Sequence, residues 1–165
     1  LVARGVKIKV VTNSLQTNDV VIAQAAYSQY RKRILEAGVE LYEFRGDAVF
    51  AEQGGASGSA AISLHTKYIV FDEQNVFLGS MNLDPRSLYL NTELGVMLES
   101  ATLASSLRES FHQLTRPENS WQVLDEGQGV HWQAGDQTIN RTPAKSSWQR
   151  LRYWVYRLLP VSRQL

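Results

Sequence analysis

The sequence has 165 residues, 44% hydrophobic and 20% charged, with a formal net charge of +1. That is enough chain for one domain with a hydrophobic core, and the near-neutral balance gives no global field for nucleic acid. The absence of cysteine excludes thiol catalysis, thiolate metal sites and disulfides, no apolar run approaches the ~20 residues that span a bilayer, and no signal peptide is visible.

The opening L-V-A-R-G reads as a helix end broken at Gly5. A fold rarely starts so abruptly, which predicts that the chain is the C-terminal piece of a longer protein. Val6–Thr12 is β-branched and predicts a strand. Asn13 and Ser14 are turn and cap residues. Asp19 to Ala37 predicts a long helix with Val20, Ala23, Tyr27, Tyr30 and Ile34 on one side, closed by Gly38. Val39–Phe44 predicts a second strand, and this β-α-β order favours parallel pairing in an α/β layer fold.

Residues 45–60 form a loop rich in Gly and Ala, expected near the substrate entrance. Ile62–Asp72 and Val76–Met81 predict a hairpin. Asp84-Pro85-Arg86-Ser87 opens a short helical turn, with Asp84 as cap and Pro85 at its first position. Glu93–Glu99 predicts a fifth strand and Ala101–Leu114 a helix that ends before Pro117. Short strands follow around Trp121–Leu124 and Val130–Gln133 in a loop-rich stretch, and Ser146–Leu159 predicts a final helix before Pro160. No internal repeat is visible. This organisation predicts a unit over 1–117 and an extension over 118–165.

The stretch H-T-K-Y-I-V-F-D places His65 and Lys67 two residues apart. Side chains of a strand alternate, so both point the same way. A packing strand would put apolar residues on that face. An imidazole beside a permanent cation suits a phosphate better than a core. A free imidazole titrates near about 6.5, so its neutral form is available at physiological pH.

From His65 the spacing is H-x-K-x4-D-x6-G-S-x-N, through Lys67, Asp72, Gly79, Ser80 and Asn82. This resembles the HKD signature of the phospholipase D superfamily at every defined position. The resemblance extends to Glu93, which falls where members carry a Glu beside the catalytic His. It implies a mixed β-sheet flanked by helices, one half of a pseudo-twofold two-lobe fold. It implies no cofactor and no metal.

A phosphodiester repels an attacking nucleophile, so catalysis rests on positioning and on neutralising its oxygens. Lys67 then supplies charge, Asn82 an amide donor and Ser80 a hydroxyl contact to substrate. His65 can form a covalent phosphohistidine, splitting one displacement into two steps. Glu93 would orient the imidazole. Gly79 admits close strand approach, and Asp72 is structural, at the hairpin end. Arg86 is a candidate second phosphate or headgroup contact, weighed against a plain surface cation. His112 and His131 lack a Lys two residues on and read as ordinary residues.

The superfamily joins two HKD motifs across a pseudo-twofold axis, one His attacking and the other protonating the leaving oxygen. This chain has one motif. The second would come from an N-terminal lobe or from a second copy. As a second motif, His65 would be the general acid, because the first-motif His usually attacks. Its role stays open.

Three segments narrow the resemblance. G-S-M-N-L-D-P-R-S-L-Y-L-N-T-E-L-G-V, V-T-N-S-L-Q-T-N-D-V and the ending S-S-W-Q-R-L-R-Y-W-V-Y-R-L-L-P-V-S-R-Q-L resemble the bacterial cardiolipin synthase branch, its C-type above all. That implies transfer of a phosphatidyl group to phosphatidylglycerol, with phosphatidylethanolamine as donor, and a peripheral place on the bacterial cytoplasmic membrane. A hydrolytic phospholipase D, a single-motif nuclease dimer and an inactive half-site are the competing readings. Independently, the tail from Lys145 carries five basic residues and no acid. Trp148, Leu151, Val155, Leu158 and Leu159 share one helical face there, which suits anionic lipid. The competing reading is a helix packed on the missing lobe.

Overall fold

The computed structural model describes residues 1–49, 63–127 and 129–158. A 3-10 turn over Val2–Arg4 ends at Gly5 with φ 85°. Strand β1 (Lys9–Asn13) leads to helix α1 (Val21–Glu36) and strand β2 (Glu40–Phe44). β1 and β2 pair in parallel, from Lys9 opposite Glu40 to Asn13 opposite Phe44. The β-α-β order delivers the parallel pair that the sequence predicts.

β2 also pairs antiparallel with β6 (Ser120–Asp125), which continues to β7 (Val130–Ala134) and β8 (Gln137–Ile139). The five-stranded sheet has the order β1-β2-β6-β7-β8. Residues 120–139 therefore extend the sheet that β1 and β2 begin. Leu41, Trp121, Val123, Trp132 and Ala134 form its buried centre, with Tyr27, Ile34 and Leu35 of α1 packed against them.

α1 has a second neighbour. The last helix, α4 (Ser147–Arg157), packs on it through Tyr153, which is buried with Leu15, Val21 and Ala25. Being covered on two sides, α1 buries Val21, Gln24, Ala25, Ala26 and Arg31. The predicted stripe is correspondingly displaced: Val20 is 53% exposed, while Tyr27 and Ile34 do reach the core. The architecture is α/β, a mixed sheet flanked by helices.

A second, three-stranded antiparallel sheet contains β3 (Lys67–Phe71), β4 (Asn75–Gly79) and β5 (Gly95–Glu99), with β4 central. α3 (Ala101–Leu114) covers one face, where Val76 and Ala104 are fully buried and Tyr68 donates to the Leu107 carbonyl at 3.3 Å. Between β4 and β5, Pro85–Tyr89 forms the short helix α2. Asp84 caps it by accepting from the Ser87 N–H at 2.8 Å. Of the loop 45–60, residues 50–60 lie outside the described residues, as do Ile62, Gln128 and 159–165.

β3 begins later than the expected Ile62. Asn13 at the end of β1 donates to the Leu64 carbonyl and accepts from the Leu64 N–H, both at 2.8 Å. Those backbone groups are thus taken by a side chain, not by a ladder. His65 therefore precedes the strand.

Candidate active site

The hairpin β3–β4 and strand β5 converge at one end. Lys67 is paired with Gly79, and Gly79 with Gly95. A Cβ on Gly79 would stand 2.8 Å from the Leu94 carbonyl oxygen, so a larger residue would drive the strands apart. The close approach lets the Ser80 N–H donate to that carbonyl at 2.9 Å.

Lys67 folds back onto His65. Its Nζ donates to the His65 carbonyl at 2.6 Å and meets Nδ1 of the ring at 3.0 Å. Nζ also lies 3.5 Å from Nε2, so the ammonium stands against the imidazole rather than in line with one ring nitrogen. The sequence pattern had put the two side chains on one strand face; they meet although His65 lies outside β3.

Ser80 and Glu93 make the second half of the site. The Ser80 hydroxyl donates to Oε2 of Glu93 and accepts from the Leu94 N–H at 3.0 Å. Asn91 donates to Oε1 of Glu93 at 3.3 Å, and Arg86 Nε donates to Oδ1 of Asn91 at 3.2 Å. Hydrogen bonds, that from Ser80 foremost, hold the Glu93 carboxyl below its usual range, and the charge of Lys67 adds to this. Glu93 thus shares the electrostatic environment of Lys67. Among the described residues no hydrogen bond joins Glu93 to His65; its carboxylate is oriented by Ser80 and Asn91.

Asn82 is exposed on the loop between Ser80 and the Asp84 cap. Asp72 lies in the hairpin turn with φ 49°, followed by Glu73 with φ 66°, and the Gln74 N–H closes the turn on the Phe71 carbonyl at 3.2 Å. Asp is among the residues that tolerate this left-handed conformation. Glu73 ties the turn to α3 through Arg108 at 2.7 Å. His112 lies on α3 and His131 on β7, in other elements than the motif.

Asn91 is the polar residue that motif reading missed. Its one signal in sequence is its place two residues before Glu93, too common a spacing to single it out. Among the described residues no group of three or more His, Asp or Glu side chains could hold a metal ion. The cluster offers a cation, an imidazole, a hydroxyl and a carboxylate around open space, a set able to bind an anionic ester and to move protons on it.

The family model described as "Cardiolipin synthase, PLD-like domain" matches residues 1–115. The chain is 38% identical to cardiolipin synthase C of Escherichia coli strain K12, over 98% of this chain and 36% of that protein. It is 34% identical to an uncharacterized protein of Helicobacter pylori strain 26695, over 84% of the chain and 27% of that protein. Cardiolipin synthase A of Proteus mirabilis is 35% identical over 63% of the chain and 18% of its own length. The chain thus spans about a third or less of the curated relatives it matches. No solved structure matches it. With the family model covering the whole HKD spacing, and a relative matched along nearly the whole chain, the chain belongs to the cardiolipin synthase, PLD-like domain family.

Proposed function

We propose that the chain is one catalytic lobe of a phosphatidyltransferase that makes cardiolipin from two phospholipids. The observation that carries this reading is the pairing of Lys67 Nζ with the His65 ring at 3.0 Å beside the Ser80–Glu93 cluster. The similarity to cardiolipin synthase C supports the choice of substrates. Residues 1–117 hold the catalytic groups; β6, β7 and β8 of the 118–165 extension add outer strands, and α4 is its basic helix.

The donor's phosphate binds between Lys67, Ser80 and Asn82, with Arg86 and Asn91 holding Glu93 in place. One histidine attacks phosphorus and forms a P–N bond as the P–O bond to the donor's head alcohol breaks. The other histidine protonates that leaving oxygen. A hydroxyl of phosphatidylglycerol then attacks the phosphohistidine, losing its proton to the second histidine, and frees the first. Phosphatidylethanolamine is the donor. His65 takes one of the two roles, and the other histidine comes from a second HKD lobe, in an N-terminal half or a second copy. A substrate phosphate would draw Lys67 Nζ from Nδ1 and leave the imidazole to the reaction. Leu83, Tyr89, Leu90 and Leu94 are exposed around the polar cluster and suit coverage by that lobe or by lipid.

Among the described residues no helix is long and apolar enough to cross a membrane, and the proposed location is peripheral, on the bacterial cytoplasmic membrane. The test is incubation with phosphatidylglycerol and phosphatidylethanolamine vesicles, with mass-spectrometric detection of cardiolipin and His65→Ala as control. Cardiolipin from the unmutated chain alone means two copies pair to build the site. Product only after the full-length protein replaces the chain assigns the second histidine to the missing lobe. Phosphatidic acid without cardiolipin would replace transfer by hydrolysis, and cleavage of a nucleic acid instead of lipid would overturn the substrate class.

A further inference from the structure

α4 presents two opposed faces. A helix turns about 100° per residue, so Trp148, Leu151, Trp154, Val155 and Leu158 fall within an arc of about 120°. Their exposures are 67%, 52%, 54%, 50% and 84%. Tyr153 falls on the opposite side and is 1% exposed, in the cluster with Leu15, Val21 and Ala25. Gln149 also fastens the helix, by donating to the Leu15 carbonyl at 2.7 Å. The apolar arc is therefore not the face that holds the helix to the fold.

The charges flank that arc on both sides. Arg152 lies at one edge, and Arg150 and Arg157 lie at the other. Ser147–Arg157 contains no acidic residue, and among the described residues none of these three arginines is ion-paired. Arg157 lies over the Trp154 ring at 4.8 Å, which keeps its guanidinium level with an exposed indole. Arg150 is half-buried and lines a cleft of ≈ 250 Å³ with Asp47, Trp121 and Arg141, so Arg152 and Arg157 are the exposed charges beside the arc. An occupant must accept two tryptophans and three aliphatic chains in its middle and present negative charge along both borders. The surface of an anionic bilayer does this: apolar side chains enter the acyl boundary, tryptophans sit at headgroup level and arginines meet the phosphates.

We infer that α4 is a preformed membrane-docking helix that lies flat on an anionic bilayer through Trp148, Leu151, Trp154, Val155 and Leu158 while Tyr153 keeps it docked on α1. The inference deepens the proposed lipid-processing role by naming the residues that meet the surface. It needs no unfolding or release of α4, because the lipid-facing arc is already exposed.

The experiment is vesicle flotation of the 165-residue chain, without turnover. Vesicles contain phosphatidylserine in phosphatidylcholine, an anionic lipid outside the proposed reaction, or phosphatidylcholine alone. The expected result is binding to the anionic vesicles that weakens with salt, and that falls about tenfold or more in Leu151→Glu/Val155→Glu and in Arg152→Glu/Arg157→Glu. Leu151, Val155 and Arg152 are exposed, whereas Arg157 also lies over the Tyr153 ring at 5.7 Å, so circular dichroism checks that both variants fold with α4 in place. Unchanged flotation of folded variants overturns the inference, as does equal binding to uncharged vesicles. A lipid-free dimer that Leu151→Glu dissociates would assign the face to a second copy and also overturns it. Flotation that depends on α4, with no cardiolipin formed by either the chain or the full-length protein, would leave this inference standing and remove the proposed reaction; the converse would do the reverse.

Discussion

Ser80 and Glu93 are joined across the connection between β4 and β5, the Ser80 hydroxyl donating to the carboxylate while it accepts from the Leu94 N–H at 3.0 Å. This bond is the first cause of the lowered Glu93 carboxyl pKa. Ser80→Ala should therefore move the Glu93 titration up toward the ordinary carboxylate range. A depressed folded-state pKa adds stability that is present above the unfolded value and is lost as pH falls through the folded value. The variant should lose that acid-side dependence. Carboxyl-carbon NMR titration of the chain and of Ser80→Ala measures the shift; superimposed curves would contradict the assignment.

Lys67 is the cation nearest the His65 ring, and its charge also acts on Glu93. If it neutralises phosphate oxygens in the transition state, Lys67→Ala should cut cardiolipin formation by about a hundredfold or more. Lys67→Arg should restore little, because a planar fork replaces a compact ammonium that here reaches both the ring and the carbonyl of His65. Initial rates in vesicles, with circular dichroism as a folding check, decide this. Equal rates for Lys67→Arg and the unmutated chain would show that charge alone suffices.

The buried Glu43 sets a stability prediction. It accepts from Arg31 Nε and Trp132 Nε1 at 2.8 Å each and from the Tyr27 hydroxyl at 3.1 Å. Arg31 lies 5.0 Å from both ring centres. Glu43→Leu leaves a buried guanidinium without its counter-charge and should cost about 3–5 kcal/mol. Arg31→Met/Glu43→Leu removes both charges and should cost much less than the single change. Urea unfolding of the two variants tests this, and equal losses would mean that packing rather than charge explains the network.

How much of this was legible in the sequence depends on the range of the interactions. The HKD spacing, the β1–α1–β2 unit, the β3–β4 hairpin, the Asp84 cap and the helix over Ala101–Leu114 rest on local signals. The pairing of β2 with β6 joins residues about eighty positions apart, and no local periodicity encodes it. The Arg31–Glu43 pair was hidden for the same reason: on α1 it reads as a solvated charge until β2 and β7 cover it. The late start of β3 depends on Asn13, which reaches Leu64 only once the chain has folded.

The glycines of the three-stranded sheet yield two distinguishable changes. A Cβ at Gly79 would meet the Leu94 backbone carbonyl at 2.8 Å and the Phe77 ring at 3.0 Å, whereas one at Gly95 would meet the Phe77 ring alone. Both Gly79→Ala and Gly95→Ala should destabilise by about 1–3 kcal/mol through overpacking. Phe77→Leu should recover stability in the Gly95→Ala background by removing ring atoms. It should rescue Gly79→Ala only in part, because the contact with the Leu94 backbone carbonyl remains. Unfolding midpoints of the four variants test this, and full rescue of both would show that Phe77 alone sets the strand spacing.

Arg86 reaches the site through an intermediary. Its Nε donates to Asn91, and Asn91 donates to Glu93. Two roles follow with different signatures. An Arg86 that positions Glu93 is coupled to Asn91, so Arg86→Ala and Asn91→Ala should be non-additive, with a coupling energy of about 0.5–3 kcal/mol in transition-state stabilisation. An Arg86 that binds substrate phosphate directly should raise KM on its own and add to the Asn91 change. The relay geometry favours coupling. Rates of cardiolipin formation for the two single variants and the double variant close the cycle, with Arg86→Lys as a further arm. Lysine keeps the charge but cannot reproduce the Nε donor, so under the relay it should behave like Arg86→Ala.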